Sequence, residues 1–444
     1  MSIFKDSKSL ITTSLILLVI SLATGVMTAR LLGTAGKGEF YLILQFSSLA
    51  SLVLSGGLGP SYQYHLKRGL LDRSEVLSHM LSQSFGVTLL LLGFALSIYL
   101  PQGIAQNVIP RSLVFPIVFA TILNLLALYT NSLLMTVPTW ISTSSRLSVM
   151  SSVSYVFLLA AFVWGFEWGV TGAVAAYLIS LFVKFIPTVL YLVMWRPIYL
   201  RPVWIKHSPT LFAFGISSFL SNVVLSSVFR VDVFIVNSLV GVAAVGIYSV
   251  AVSFAEMALM APSAIGVALF AHLPGSSDEE QIKIVGRSMR VTVFLAFIGG
   301  VILAAISHPL VTLSMGEKFS GAVVPLIILI PGLVMMSANY VFSNYYASQG
   351  KPIMGAYCFG IGLVINVIIN FIAIPRMGIE GAALASSVSY SAITVCFFVI
   401  LRHQHGLGVK DLFILNREDI VLVARKFPLV KYLLCFFDPA IGKG

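Results

Sequence analysis

The sequence has very little charge for its length. Only 10% of its 444 residues are charged, whereas 58% are hydrophobic. A water-soluble globule of this size needs more polar surface than these residues supply, so a soluble protein is excluded. Apolar runs of about 20 residues recur along the chain, and this length matches a helix that crosses a bilayer. The unbroken runs favour a helical bundle over alternating barrel strands.

Cysteine and the common catalytic motifs are equally scarce. The three cysteines, Cys358, Cys396 and Cys435, lie far apart in sequence without a CxxC pair. This pattern predicts neither a disulfide framework nor a metal site. P-loop and GxGxxG signatures are absent, which argues against an ATP-driven pump. The histidines form no recognisable acid/base or metal pattern, and we expect no catalytic residues and no bound cofactor.

The apolar runs predict an all-α integral membrane protein of about twelve transmembrane helices. The breaks between runs place the spans near 10–30, 40–62, 77–99, 112–134, 147–165, 170–194, 210–236, 246–271, 290–311, 322–346, 353–374 and 380–401. The loops between them are too short to fold as soluble domains. Any functional site must therefore be built inside the helical bundle.

The distribution of basic residues predicts the orientation. With twelve spans, 20 of the 27 Lys and Arg residues fall on the side of the N-terminus and five on the other. Basic loops stay in the cytoplasm, so both termini are expected there. The concentration of basic residues in the cytoplasmic segments also explains the net charge of +11. Because this explanation suffices, we do not expect nucleic-acid binding.

The chain divides into two predicted lobes and a tail. Residues 1–206 hold spans one to six, 207–402 hold spans seven to twelve, and 403–444 form a cytoplasmic tail. The mixture of basic and apolar residues in the tail suits a helix on the membrane surface. The competing interpretation is a thirteenth span over 420–437.

Two motifs recur at nearly the same interval. Residues 32–41 match 240–249 in their glycine, alanine and aromatic positions, with Gly241 lying 208 positions after Gly33. Residues 168–173 match 377–382 at an interval of 209. These matches predict a duplicated six-helix unit, with the two lobes related by a pseudo-two-fold axis along the membrane normal. Alternating access by rocking of the lobes is the mechanism that such symmetry favours.

The segments ARLLGTAGKGEFYLI (29–43), SLVGVAAVGIYSVA (238–251), WGVTGAVAAYLI and MGIEGAALASSV resemble the polysaccharide flippases of the multidrug/oligosaccharidyl-lipid/polysaccharide exporter superfamily. The resemblance extends to about residue 402. It implies a flippase, not an enzyme, that moves undecaprenyl-pyrophosphate-linked oligosaccharide, such as O-antigen or capsule repeat units, to the periplasmic face. It also implies contact with membrane lipids and with other proteins of polysaccharide assembly.

Three alternatives to this function stay open. A multidrug/cation antiporter of the same superfamily is the nearest, and a lipid II flippase is less similar because those proteins typically have two additional helices. A membrane enzyme of polysaccharide assembly is the third. Enzymes of that kind usually carry larger extramembrane loops than this sequence has.

Four ionisable residues inside predicted spans are the candidate site residues, because a charge in the bilayer is costly. Arg230 and Lys184 are the candidates for binding the pyrophosphate of the cargo. Glu256, near the middle of the eighth span, and Asp232 are the candidates for coupling to H⁺ or Na⁺. A structural role is the alternative for each, with Arg230 paired to a carboxylate, Lys184 extended to the interface, and Glu256 paired to a cation.

Overall fold

The computed structural model describes residues 2–67, 73–99, 111–134, 138–194, 204–260, 262–263, 265–266, 278–416 and 419. Within these residues the structure is helical and contains no strand, as expected for a chain whose backbone must satisfy its own hydrogen bonds in lipid. The α-helices are α1 (Ser2–Leu54), α2 (Leu58–Lys67), α3 (Arg73–Tyr99), α4 (Arg111–Leu134), α5 (Pro138–Leu159), α6 (Gly169–Met194), α7 (Trp204–Leu239), α8 (Val242–Ala258), α9 (Asp278–Met315), α10 (Val323–Ser348), α11 (Ile353–Met377), α12 (Ile379–His405) and α13 (Val409–Phe413). A π-helix at Ala160–Gly165 continues α5, and a 3₁₀ helix at Glu317–Ala322 precedes α10.

The helices match the predicted spans, with differences at several ends. The first two spans are the two arms of α1, which meet at Gly33, where the backbone is not helical, and the second arm ends at Leu54 rather than at residue 62. Helix α8 ends at Ala258, residues 260, 262–263 and 265–266 are again helical, and the predicted end of the eighth span at residue 271 lies outside the described residues. Helix α9 begins at Asp278, twelve residues before the predicted start of the ninth span.

The membrane-spanning character follows from the length and hydropathy of these helices. Eight helical segments in the described part are long and apolar enough to cross a bilayer, and two shorter apolar segments lie at 114–129 and 242–258. Helix α1 supplies two arms and α3 to α12 supply one helix each, which agrees with about twelve spans. The predicted fold class, an all-α integral membrane protein, is confirmed.

The two repeated motifs have a glycine with positive φ at the equivalent position in both copies. Gly33 has φ of 68° and separates the two arms of α1, and its counterpart Gly241 has φ of 112° and separates α7 from α8. Gly169 and Gly378 have φ of 56° and 61° at the starts of α6 and α12. Since only glycine adopts these angles without strain, the repeat preserves helix junctions.

The chain forms two compact units. The first contains residues 1–250 and 311–322, and the second contains residues 251–310 and 323–444. These two compact units do not test whether the chain contains two duplicated six-helix lobes. The predicted lobe boundary at 206/207 therefore stays a prediction. Residues 420–444, which hold most of the tail and the competing thirteenth span, lie outside the described residues.

In the first unit, α2, α3 and α4 pack around a buried core that contains Leu58, Tyr62 and Tyr129. The Tyr62 hydroxyl lies 2.7 Å from Nδ1 of His79, and the Tyr129 hydroxyl donates to Oε1 of Gln83 at 2.6 Å. These bonds satisfy polar groups that lipid could not solvate. They hold the three helices together.

In the second unit, asparagines connect α10, α11 and α12. The Asn339 amide donates to the carbonyl oxygen of Tyr390 at 3.1 Å, and the Asn366 amide donates to the Ser386 hydroxyl at 3.3 Å. All four residues are buried. Interhelical bonds of this kind stabilise bundles in which hydrophobic burial contributes little.

Two cysteines that are 38 positions apart meet between α11 and α12. The Sγ atoms of Cys358 and Cys396 are 3.1 Å apart, and both are free thiols. Sequence spacing gave no sign of this contact, because the two residues come together only when the helices pair.

Candidate functional site

Helices α1, α7 and α8 meet in the first unit and carry most of the candidate residues. Phe46 of α1 and Phe234 of α7 pack edge to face, with ring centroids 5.5 Å apart. Such a contact between large aromatic rings fixes the rotation of α7 against α1. The polar residues on the adjoining turns are thereby held at defined positions.

A reciprocal glycine crossing joins α1 to α8. A Cβ atom on Gly38 would overlap the carbonyl oxygen of Val242, and one on Gly246 would overlap the carbonyl oxygen of Thr34. Both pairs are related by the repeat interval of 208 residues. The two copies of the motif therefore contact each other backbone to backbone, as small residues permit in membrane helices.

Arg230 lies on α7 and is directed toward α1. Its Nη1 atom is 3.5 Å from the hydroxyl oxygen of Tyr41, the long limit of a hydrogen bond, and the side chain is partly buried. The guanidinium fork can bind phosphate oxygens in pairs, and the neighbouring hydroxyl can donate a further hydrogen bond. This position suits the predicted role of Arg230, although that role stays a prediction.

Asp232 contacts α8. Its carboxylate is buried and accepts hydrogen bonds from the Tyr248 hydroxyl at 2.6 Å and from the Val233 amide at 2.8 Å. The predicted coupling role of Asp232 stays a prediction.

Lys37 is a buried cation that the sequence reasoning placed in a loop. It lies in the second arm of α1 and is only 7% exposed. Its ammonium donates to the carbonyl oxygen of Gly25 and to the hydroxyl of Thr28, each at 3.1 Å. Both acceptors belong to the first arm, so Lys37 bridges the bend at Gly33. Within the described part of the chain these neutral groups are its only partners.

Lys37 lies one turn before the residue that contacts Arg230. Tyr41 follows Lys37 by four residues and therefore lies on the same side of α1, and its hydroxyl contacts Arg230. The ammonium of Lys37 itself is directed to Gly25 and Thr28 of the first arm. The signal that could have identified Lys37 is the pair of flanking glycines, Gly36 and Gly38, which allow other backbones to approach a lysine closely.

The other two predicted residues lie elsewhere. Lys184 of α6 is partly buried, and no carboxylate lies within 4.0 Å of its ammonium among the described residues. Glu256 is partly buried near the end of α8, in the second unit. The Leu259 amide donates to its carbonyl oxygen at 3.1 Å, a short-range bond that marks the distortion where α8 ends.

Comparison with known protein families gives two matches. A family model described as polysaccharide biosynthesis protein matches residues 3–274, and a model described as MatE matches residues 217–372. The "probable low-salt glycan biosynthesis flippase Agl15" of Haloferax volcanii is 24% identical over 210 residues, covering 46% of this chain and 43% of that protein. The "uncharacterized membrane protein YabM" of Bacillus subtilis is 28% identical over 96 residues, covering 21% and 18%. The chain therefore matches less than half the length of these relatives.

Solved structures share the fold over nearly the whole chain. The lipid II flippase MurJ in an inward closed conformation has a TM-score of 0.74 at 14% identity, covering 98% of this chain and 93% of that one. An inward-facing multidrug resistance MATE transporter has a TM-score of 0.66 at 14% identity, covering 87% and 94%. At this identity the likeness shows the two-lobed transporter fold alone.

Proposed function

The chain belongs to the polysaccharide biosynthesis protein family of the multidrug/oligosaccharidyl-lipid/polysaccharide exporter superfamily, and we propose that it flips undecaprenyl-pyrophosphate-linked oligosaccharide repeat units. Transport runs from the cytoplasmic to the periplasmic leaflet of a bacterial inner membrane, with both termini in the cytoplasm. The cargo and the direction are those that the resemblance implies, and the relative named as a probable glycan biosynthesis flippase supports the broader assignment to glycan flipping.

The observation that carries the proposal is the contact of Arg230 with Tyr41, one turn after the buried Lys37, and we propose that these three residues form the cargo cluster. A pyrophosphate that leaves water needs replacement partners for its oxygens, and two cations with a hydroxyl supply them. The buried carboxylate of Asp232 accepts a hydrogen bond from Tyr248 of α8. Lys184 is a third cation that we propose contacts the cargo.

Ion coupling is the proposed energy source. Glu256 and Asp232 are the groups that would bind H⁺ or Na⁺, because a partly buried carboxylate can take up a cation when its surroundings change. Glu256 lies beside the end of α8, where a change in helix geometry would alter its solvation. Rocking of the two lobes would then expose the cargo cluster to each leaflet in turn.

The experiment that tests the function uses a strain without this protein. We expect undecaprenyl-linked oligosaccharide to accumulate on the cytoplasmic face and surface glycan to be lost. The wild-type gene should restore both, whereas Arg230→Ala should insert normally and restore neither. Arg376→Ala is the matched control, because Arg376 is exposed and donates to the carbonyl oxygen of Ile372 on its own helix. Normal glycan in the deletion strain would refute the proposal.

A multidrug/cation antiporter is the second candidate, favoured by the MatE match to residues 217–372. A cationic drug would be repelled by Lys37 and Arg230 and would need the carboxylates of Asp232 or Glu256 instead. The same deletion strain separates the two functions. Altered drug sensitivity together with normal surface glycan would establish the antiporter.

A further inference from the structure

Two thiols lie side by side in the second unit, between α11 and α12. The Sγ atoms of Cys358 and Cys396 are 3.1 Å apart, and neither residue is in a disulfide. Cys358 is buried, whereas Cys396 is partly exposed. A disulfide bond is about 2.05 Å long, so a small rotation of either side chain brings the two sulfur atoms to bonding distance.

Contacts beside the thiols hold the two helices in a fixed register. Phe359 and Phe397, which follow the two cysteines in sequence, pack edge to face with ring centroids 5.7 Å apart. One turn further along α11, the Ser389 hydroxyl donates to the carbonyl oxygen of Gly362 at 2.9 Å. A Cβ atom at Gly362 would overlap the side chain of Ile393, so the helices approach closely at this point. The packing of α11 on α12 therefore sets the position of both thiols.

The thiol pair lies near one end of both helices. Cys358 comes seven residues after Lys351, and Cys396 comes six residues before Arg402. At about 1.5 Å per residue, each thiol is about 9–10 Å from an exposed cation along its helix. A small uncharged solute can reach the partly exposed Cys396 over this short distance.

Oxidation to a disulfide is the reaction that two adjacent thiols favour. A thiol that is oxidised alone passes through a sulfenic acid to irreversible products, whereas a neighbouring thiol converts the sulfenic acid into a reversible disulfide. Because the second thiol is already at contact distance, this conversion needs no diffusion. Among the described residues the pair belongs to no group of three histidine, cysteine or acidic side chains that could hold a metal ion.

We infer that Cys358 and Cys396 form a redox site, at which hydrogen peroxide converts the two thiols into a disulfide between α11 and α12. First, the sulfur of Cys396 attacks one peroxide oxygen, the O–O bond breaks, and the other oxygen leaves as water with the thiol proton. The sulfur of Cys358 then attacks the sulfur of Cys396, an S–S bond replaces the S–O bond, and the hydroxyl leaves as water with the second thiol proton. Two electrons from the thiols thereby reduce one peroxide to two water molecules.

The disulfide is reversible and does not depend on the proposed cargo. The predicted orientation places this end of α11 and α12 on the cytoplasmic side, where dithiol reductants return the pair to thiols by two exchange steps. While it lasts, the bond joins residues 38 positions apart and restricts the unfolded chain. Oxidation therefore stabilises the second unit against unfolding.

Peptide mapping after oxidation tests the inference with the full chain in nanodiscs. The protein is treated with hydrogen peroxide, the remaining thiols are alkylated, and the digest is analysed by mass spectrometry with and without a dithiol reductant. We expect a reducible crosslink between the peptides of Cys358 and Cys396, in the wild type and in Cys435→Ser alike. In Cys358→Ser, dimedone should trap about tenfold more sulfenic acid on Cys396, because no neighbouring thiol consumes it.

The matched control keeps two thiols at the same depth but separates them. Val395→Cys combined with Cys396→Ala moves one thiol to the adjacent position, which is 59% exposed and lies on a different side of α12, so we expect no crosslink to Cys358. An equally strong crosslink in this control would overturn the inference. Recovery of Cys358 and Cys396 from the wild type as free thiols or as sulfinic acids would also overturn it, as would a link of either residue to Cys435 or to a second molecule.

Discussion

At the residue scale, the most informative group is a lysine in an unusual environment. Lys37 is buried in α1 with two neutral acceptors. A buried ammonium without a carboxylate is costly, so the protein would be more stable with an apolar residue there. Retention of a cation at that cost indicates a functional requirement, and the adjacent Tyr41 and Arg230 suggest phosphate binding.

Replacing Lys37 separates function from stability. Lys37→Met keeps the length of the side chain and removes the charge, so we expect thermal stability to be equal or higher. Flipping should fall about tenfold or more, because one charge-assisted hydrogen bond contributes about 1.5–3 kcal/mol. Surface glycan and sidedness of the lipid-linked oligosaccharide measure this loss. Lys318→Met, at an exposed lysine, is the control and should leave thermal stability and flipping unchanged. Full activity of Lys37→Met would remove Lys37 from the site.

The two carboxylates give a second prediction at this scale. Glu256→Gln and Asp232→Asn should flatten the dependence of flipping on pH and on sodium concentration, because neither amide can gain or lose a cation. Glu317→Gln, at an exposed carboxylate, is the control. If Glu256→Gln responds to pH and sodium as the wild type does, Glu256 is not the coupling group. If Asp232→Asn also responds normally, Asp232 has a structural role beside Tyr248.

At the element scale, the glycine crossing of α1 and α8 depends on the absence of side chains. Gly246→Ala would place a methyl group against the carbonyl oxygen of Thr34, and neither backbone can yield without separating the helices. We expect a loss of about 1–3 kcal/mol in the free energy of unfolding. Thermal unfolding in detergent measures this change.

The control for that substitution is Gly360→Ala in α11. A Cβ atom at Gly360 meets nothing within 4 Å, so alanine there should preserve or slightly raise stability. A harmless Gly246→Ala would mean that α1 and α8 do not cross at this point. The prediction for Gly38→Ala is the same as for Gly246→Ala, since the repeat relates the two positions.

The contact between the tail and α9 should depend on pH. Burial alone would raise the pKa of the Asp419 carboxyl, but hydrogen bonds from Arg290, the Asn416 backbone and Arg287 hold that pKa below its ordinary value. A depressed pKa in the folded state stabilises the contact above the ordinary pKa of about 4. The stabilisation is lost as the pH falls through the lowered value.

Limited proteolysis of the tail measures this effect. Cleavage after residue 405 should increase as the pH falls below about 4, and Asp419→Ala should show the increase already at pH 7. Because the arginines then lose their shared carboxylate, the variant should no longer respond to acid. Equal protection of Asp419→Ala and the wild type at neutral pH would contradict the proposed contact.

The sequence predicted the helices better than their ends and contacts. Apolar length alone located the spans, because the bilayer sets how many residues a crossing needs. It placed the break between the first two spans at residues 30–40, where Gly33 interrupts α1, but it extended the second span to residue 62, beyond the end of α1 at Leu54. Burial of Lys37 and the meeting of Cys358 with Cys396 depend on which helices pack together, and sequence spacing does not carry that information.

At the scale of the whole molecule, the duplication was the strongest signal. Two motif pairs at nearly equal intervals predicted a six-helix repeat, and in the structure the glycines of both pairs have positive φ. Equivalent residues of one motif then meet across the glycine crossing, which sequence alone did not indicate. The repeat therefore predicted the two-lobed architecture, whereas the close approach of the two motif copies at Gly38 and Gly246 emerged only from the structure.

Orientation is the remaining prediction at this scale, and it rests on the uneven distribution of the 27 Lys and Arg residues. An even number of spans places both termini on the same side, and the excess of basic residues places that side in the cytoplasm. A fluorescent protein fused after residue 444 should fluoresce, and alkaline phosphatase fused there should be inactive. The same reporters placed after residue 316, between α9 and α10, should give the opposite pattern. An active phosphatase at the C-terminus would mean that the span count is odd or the orientation reversed, and the proposed direction of flipping would have to be revised.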